Sequence, residues 1–143
     1  MILQSWKCIL HFKPQEFDDP LFPGSGSNIN ALTVMLLDKL RTTINCPIVI
    51  HHKAGGAVDM QGRHGHAPNS YHRYDQGCRA VDCHIKTDMG IREQYNRVCQ
   101  AGFSGVGVYL YGRHKVWFHL DTRLITDTQH WICKRKGQYK YLF

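Results

Sequence analysis

The chain has 143 residues, the length of one domain, and 43% of them are hydrophobic while 20% are charged. That balance, with a mean hydropathy of −0.38, excludes an intrinsically disordered protein. The apolar runs fall well short of the ~20 residues of a membrane-spanning helix. Eighteen Lys and Arg face eleven Asp and Glu, a net charge of +7, which favours anionic partners such as a cell-wall polymer, acidic lipid or nucleic acid.

The N-terminal segment MILQSWKCILHF does not resemble a secretory signal. It lacks a basic n-region, and Gln4, Ser5 and Lys7 interrupt its apolar residues, so we expect synthesis in the cytoplasm without a signal peptide. The six cysteines form no CxxC pair, which argues against a zinc ribbon or finger. We therefore interpret them as reduced structural thiols.

The hydrophobic pattern predicts a single domain over residues 1–143. After an irregular lead-in it predicts a helix over residues 29–45, capped by Ser27 or Asn28. The apolar face of that helix is expected to consist of Leu32, Met35, Leu36, Leu40 and Ile44. A short buried strand at 48–50 follows Pro47, and residues 53–69 form a long loop rich in Gly and His.

The second half of the chain predicts more strands and one more helix. We expect a strand over 79–85 and a helix over 88–101, capped by Thr87 and stopped by Gly102. Two β-rich runs, 106–111 and 114–119, predict a hairpin, and the tail from residue 124 is expected to pack back on the core. The expected fold class is α+β, with two main helices against a small, largely antiparallel sheet.

Three stretches of the chain carry residues suited to metal chemistry. They are Ser70-Tyr71-His72, Gly77-Cys78-Arg79-Ala80-Val81-Asp82 and Trp117-Phe118-His119-Leu120-Asp121. Together they offer the imidazoles of His72 and His119 and the carboxylate of Asp82. Two histidines and a carboxylate, with a fourth position open to water, suit a catalytic zinc, whereas structural zinc sites close all four positions with protein ligands.

The pattern of these stretches resembles the M15 family of zinc peptidases, which includes D-alanyl-D-alanine carboxypeptidases and phage endolysins. Similarity extends to FKPQEF at 12–17, to LDKLR and PIVI around the first helix, and to the tail near Trp131, so it covers about residues 12–142. The resemblance implies a hedgehog/DD-peptidase-like fold and Zn²⁺ held by His72, Asp82 and His119. It also implies hydrolysis of peptide bonds in peptidoglycan stem peptides or cross-links.

From this resemblance we expect a monomeric phage or prophage enzyme that has peptidoglycan as its partner and binds neither nucleic acid nor membrane. Without a signal peptide, such an enzyme would reach the cell wall through a holin or as part of the virion. By the same resemblance Ser70 would hydrogen-bond the substrate. Lys53 would replace an arginine that binds the substrate carboxylate, although lysine cannot form the bidentate hydrogen bonds that arginine forms.

The metal-ligand spacing departs from the family pattern. His72 and Asp82 lie ten positions apart, where seven are usual, so residues 73–76 hold an insertion. Asp75 is therefore a rival ligand. Asp82 is preferred because Gly77 and Ala80 keep the GxxAxD spacing around it.

The second departure from the family pattern concerns the catalytic base. Relatives often carry an acidic residue or a histidine two or three positions before the last ligand, but Val116 and Trp117 stand there in this chain. His114 and Asp121 are the nearest replacements as a catalytic base. Asp121 could equally accept the N–H of a ligand histidine and orient it.

The remaining histidines are expected to be structural or solvated. We expect His64 and His66 in a solvated loop, with adventitious metal binding as the alternative. His51 and His52 are expected as structural or cleft-lining residues. His84 is expected in core packing, with support of the metal ligands as the alternative. Two alternative functions stay open: a catalytically silent zinc-binding module of the same fold, and a basic nucleic-acid binder with an incidental histidine cluster.

Overall fold

The computed structural model describes residues 1–125 and 127–142 and confirms the α+β class. Helix α1 spans Ala31–Ile44 and helix α2 spans Ile91–Gln100. The six strands are β1 (Ile48–Ile50), β2 (Ala80–Ile85), β3 (Gly105–Tyr109), β4 (Trp117–Asp121), β5 (Gln129–Arg135) and β6 (Gln138–Leu142). They form one sheet in the order β1-β2-β4-β3-β5-β6, and every neighbouring pair is antiparallel except β3–β5. No described helix is both long and apolar enough to cross a membrane.

Helix α1 has a different N-cap from the two residues predicted. The Asn30 side-chain oxygen accepts the backbone N–H of Leu32 at 3.0 Å, so Asn30 is the cap. Ser27 and Asn28 lie instead in a preceding short helical turn, Ser25–Asn28. The prediction placed the helix start slightly too early because several residues able to cap a helix stand in a row.

The buried face of α1 also differs from the predicted one. Of the predicted residues, Leu40 is buried and Leu36 and Ile44 pack against the core, whereas Leu32 is 47% and Met35 53% exposed. Val34 and Leu37, which were not predicted, are fully buried. The predicted and the buried face overlap, and the buried face is rotated about the helix axis toward Val34 and Leu37. Periodicity alone does not decide between two such faces, because the choice depends on where the sheet lies.

The other predicted elements are present with shifted bounds. Helix α2 has Gly90 as its N-cap, and the hydroxyl of Thr87 accepts the N–H of Met89 instead of capping the helix. The predicted hairpin is the antiparallel pair β3–β4. Its second strand begins at Trp117 rather than at His114, because residues 110–116 form a loop.

The tail forms two strands that the sequence did not predict as such. Strand β5 pairs in parallel with β3, and β6 returns antiparallel to β5, so the tail does pack onto the rest of the fold. Lys134, Arg135 and Lys136 are exposed near the β5–β6 turn, as expected for a solvated turn. All six cysteines have free thiols in the structure.

The sheet has an apolar face and a polar face. Side chains alternate along each strand, and one alternating set is buried in the core: Val81, Cys83, Val106, Val108, Phe118 and Leu120. The opposite set includes Asp82, which lies directly across from His119. His119 in turn lies beside Gly107, and Gly107 lies beside Trp131. Strand register therefore places a row of potential functional residues on the face away from the core.

Candidate metal centre

The structure brings the three predicted metal ligands together. Asp82 on β2 and His119 on β4 are register partners, and His72 comes from the loop between β1 and β2. His72 Nε2 lies 3.2 Å from both Asp82 Oδ1 and His119 Nδ1. Asp82 Oδ1 and His119 Nδ1 are 3.0 Å apart. One carboxylate oxygen and two ring nitrogens therefore converge on one point.

These separations fit a tetrahedral metal ion. Two ligands bound to Zn²⁺ at their usual distances lie about 3.3–3.4 Å from each other. The three observed separations, 3.0–3.2 Å, are slightly shorter than that tetrahedral edge. Asp75 lies apart from the three, because its carboxylate is 58% exposed and pairs with Arg73.

Both ligand histidines are oriented by a hydrogen bond on their other ring nitrogen. His72 Nδ1–H donates to the carbonyl oxygen of Ala57 at 3.1 Å. His119 Nε2–H donates to Asp121 Oδ2 at 2.9 Å. These partners set which nitrogen of each ring faces the cluster, as in many metal sites.

Asp121 is placed to orient His119 rather than to act as a base. Its side chain is fully buried, and both of its oxygens accept hydrogen bonds from Arg123 in addition to the bond from His119. Burial raises the pKa of Asp121, but the bonds from Arg123 and His119 outweigh burial and hold that pKa well below its usual value. A carboxylate so tightly paired is a poor proton acceptor.

Asp82 and His119 shift each other's pKa in opposite directions. Burial raises the pKa of Asp82, yet the neighbouring His72 and His119 outweigh it and lower that pKa strongly. Burial lowers the pKa of His119, but hydrogen bonds to Asp121 and Asp82 reverse the effect and raise it to about 9. A metal ion that binds here would displace the His119 proton.

A cleft of about 500 Å³ opens over the three ligands. Aromatic side chains form much of its wall: Tyr71, Tyr109, Tyr111, Trp117, Trp131 and Tyr139. Arg123 lines the same cleft, with its guanidinium carbon 4.9 Å from the ring centre of Tyr71 and 5.2 Å from that of Trp131. The cleft thus offers apolar surface and one cation beside the metal ligands.

The other predicted site residues are divided between the cleft and its surroundings. Ser70 lines the cleft. Lys53 is exposed in the short helical turn after β1 and is not among the residues described as lining the cleft. His114 stacks on His84, with ring centres 3.9 Å apart, and on His51 at 4.9 Å. It therefore belongs to a separate histidine cluster.

One histidine expected in a solvated loop lies beside the metal ligands instead. His66 stacks on His72, with ring centres 4.3 Å apart and planes 7° apart. Its Nδ1–H donates to Asp59 Oδ2 at 2.8 Å, and Asp59 is fully buried. A ring nitrogen of His66 lies within 4.8 Å of ligand atoms of His72 and Asp82. The expectation for His66 was wrong, and the unusual length of its loop was the available signal.

No protein-family model matches the chain, and neither the curated proteins nor the solved structures include a significant match. The geometry of the site is therefore the basis for assigning its chemistry.

Proposed function

We propose that the chain is a zinc-dependent peptidase of the M15 type that hydrolyses peptide bonds in peptidoglycan stem peptides or cross-links. The observation that carries the proposal is the convergence of His72 Nε2, Asp82 Oδ1 and His119 Nδ1 within 3.2 Å of one another beneath an open cleft. Three such ligands leave the fourth position of a zinc ion to water or substrate. The motif resemblance supplies the substrate class, and the net charge of +7 suits an anionic cell wall.

His72, Asp82 and His119 would hold the ion. When bound, Zn²⁺ would polarise the scissile carbonyl and lower the pKa of the attacking water. The Ala57 carbonyl and Asp121 keep the two imidazole rings turned toward the ion. Ligands oriented in this way need little rearrangement when an ion binds.

We assign the proton-accepting role to His66. Its Nδ1–H is held by the buried Asp59, so Nε2 is the nitrogen with a free lone pair. That arrangement suits a histidine that takes a proton from water and passes it to the leaving amine. Relatives often carry an acidic residue or a histidine as the base at the positions of Val116 and Trp117. His66 would take that role in this chain.

Arg123 is the cation that we expect to meet a substrate carboxylate, in place of Lys53. Three of the five N–H groups of a guanidinium are used here, in bonds to Asp121 and Gln129, which leaves two for a ligand. Ser70 lines the same cleft and offers a hydroxyl to the substrate. The aromatic wall would cover the apolar parts of the stem peptide.

The test is peptide release from purified sacculi, detected by mass spectrometry. We expect the zinc-loaded wild-type chain to release fragments whose masses identify the bond, and we expect none with a chelator or from His119→Ala. His66→Ala should keep stoichiometric zinc yet release fragments about 10²–10⁴-fold more slowly. His11→Ala is the matched control, because His11 bonds to Thr42 away from the cleft, and it should equal the wild type.

Two outcomes would overturn these assignments separately. A wild-type chain that carries zinc but releases nothing would be a silent zinc-binding module, the alternative that Val116 and Trp117 at the usual base positions favour. If His66→Ala loses the same zinc equivalent that His119→Ala loses, His66 would be a fourth ligand and not the base.

A further inference from the structure

Three other histidines meet beside the cleft. His51 follows strand β1, His84 lies on β2 two residues beyond Asp82, and His114 lies in the loop between β3 and β4. His51 Nε2 and His84 Nδ1 are 2.8 Å apart, and the ring of His114 stacks on both of the other rings. Residues far apart in sequence thus form one compact imidazole cluster.

The spacing of the cluster suits a single ion. One ring nitrogen from each histidine lies within 4.8 Å of the other two. A tetrahedral ion needs its ligand atoms about 3.3 Å apart and their lone pairs directed at one point. Ion binding would therefore require His114 to tilt out of its stacked arrangement on His84 and His51. His114 is exposed, so an ion can enter from solvent and keep an open position there.

Hydrogen bonds do not account for the proximity of the three rings in the cluster. Of its six ring nitrogens, two share the bond between His51 and His84. Within residues 1–125 and 127–142, the other four have no hydrogen-bond partner in the protein. Free imidazole nitrogens are preferred ligands of Zn²⁺, Cu²⁺ and Ni²⁺, whereas Mg²⁺ and Ca²⁺ prefer oxygen.

We propose that His51, His84 and His114 form a second metal site, which takes a divalent first-row transition ion of the zinc type. The site is separate from the centre of His72, Asp82 and His119, and it stands whether or not the chain is a peptidase. All three of its ligands are imidazoles, so it selects against hard cations more strongly than a site with a carboxylate.

The second site would act on the cleft through the loop at residues 110–116. An ion bound by His114 and by the two histidines of the β1–β2 region ties this loop to the sheet. The loop contains Tyr111, whose carbonyl accepts the indole N–H of Trp117 at 3.0 Å, and both side chains line the cleft. Occupancy of the second site would therefore hold one wall of the cleft in place.

The test is a Zn²⁺ titration of the metal-stripped full chain by isothermal titration calorimetry. We expect two equivalents for the wild type and for the control His11→Ala. His114→Ala should lose one of them, or bind it at least about tenfold more weakly, since loss of even an outer partner of a ligand costs 10–100-fold in affinity. His119→Ala should lose the other equivalent and keep this one.

Nitrogen-15 NMR of the imidazole rings gives a second readout that does not depend on a variant. Saturating Zn²⁺ should shift the ring nitrogens of His51 and His84 in the wild type. Equal stoichiometry and affinity for His114→Ala and wild type, or unmoved signals from these two rings, would overturn the second site. Those results would leave the centre at His119 intact, so the two proposals fail independently.

Discussion

Asp19 joins the lead-in of the chain to the long loop that covers the site. Its side chain is 1% exposed, and its oxygens accept hydrogen bonds from the N–H groups of Leu21 and Met60 and from His64 Nε2–H. His64 is therefore held in place and not solvated, contrary to the sequence expectation. Burial raises the pKa of Asp19, but these donors outweigh it, and the pKa lies below its usual value.

The lowered pKa of Asp19 predicts a pH-dependent contribution to stability. A carboxyl with a lower pKa in the folded state stabilises the fold above its unfolded pKa of about 3.9 and loses that contribution as the pH falls further. Asp19→Asn should lower the free energy of unfolding near neutral pH by about 1–3 kcal/mol, because a buried donor loses its acceptor. The variant should also lose less stability than the wild type on acidification.

Urea unfolding over a pH series measures both effects. Asp88→Asn is the control, since it makes the same change of charge at an exposed residue. Parallel pH curves for Asp19→Asn and the wild type would contradict a lowered pKa for Asp19.

At the scale of elements, strand β3 lets an aromatic side chain lie against His119 of the proposed metal centre. A β-carbon on Gly107 would lie 2.4 Å from the indole of Trp131. That indole packs beside His119, with ring centres 5.4 Å apart, and donates its N–H to the hydroxyl of Tyr109 at 3.1 Å. Because Gly107 has no side chain, Trp131 can pack over β3 and form part of the cleft wall.

Gly107→Ala should displace Trp131 and destabilise the fold by about 1–3 kcal/mol through overpacking. The indole N–H resonance of Trp131 should move, because its bond to Tyr109 is disturbed. Gly90→Ala is the control for the Trp131 resonance, since a β-carbon there meets no atom within 4 Å. It does not serve as a stability control, because Gly90 is the N-cap of α2 and alanine caps helices poorly. An unchanged Trp131 resonance and unchanged stability in Gly107→Ala would show that the indole has room to move aside.

At the scale of the whole molecule, the proposed metal centre would couple metal binding to folding. The ligands at positions 72, 82 and 119 come from a loop and two strands, so only the folded chain brings them within 3.2 Å of one another. An ion that binds only the folded state stabilises it by about 2.7 kcal/mol at a concentration of 100 times its Kd. For a domain of this size that raises the Tm by roughly 10 °C.

Thermal unfolding of the metal-stripped chain, with and without Zn²⁺, measures this coupling. The His114→Ala background isolates the centre at His119 from the second site. Mg²⁺ should have little effect, because it prefers octahedral oxygen ligands. A Tm that Zn²⁺ leaves unchanged, or an equal rise when His119→Ala is added, would contradict a metal centre at these residues.

Much of the secondary structure and part of the candidate site could be predicted from local sequence patterns. Alternation and helical periodicity indicated both helices, strands β1 and β2 and the β3–β4 hairpin, because those signals depend on residues near one another in sequence. Residue chemistry together with the motif resemblance indicated the candidate ligands His72, Asp82 and His119, and the structure brings the three together. The strands of the tail were missed because strand β5 pairs with β3, a partner remote in sequence.

Composition and local patterns were enough to predict the α+β class and the positive charge and, with the motif resemblance, the three residues that converge. Tertiary structure decided which neighbours each of them has. In the folded chain His66 stacks on His72, and Asp121 forms an ion pair with Arg123. His114 stacks on His84, away from the three converging residues. The physical reason is that orientation and hydrogen bonding depend on strand register and loop path, which bring together side chains that no local spacing relates.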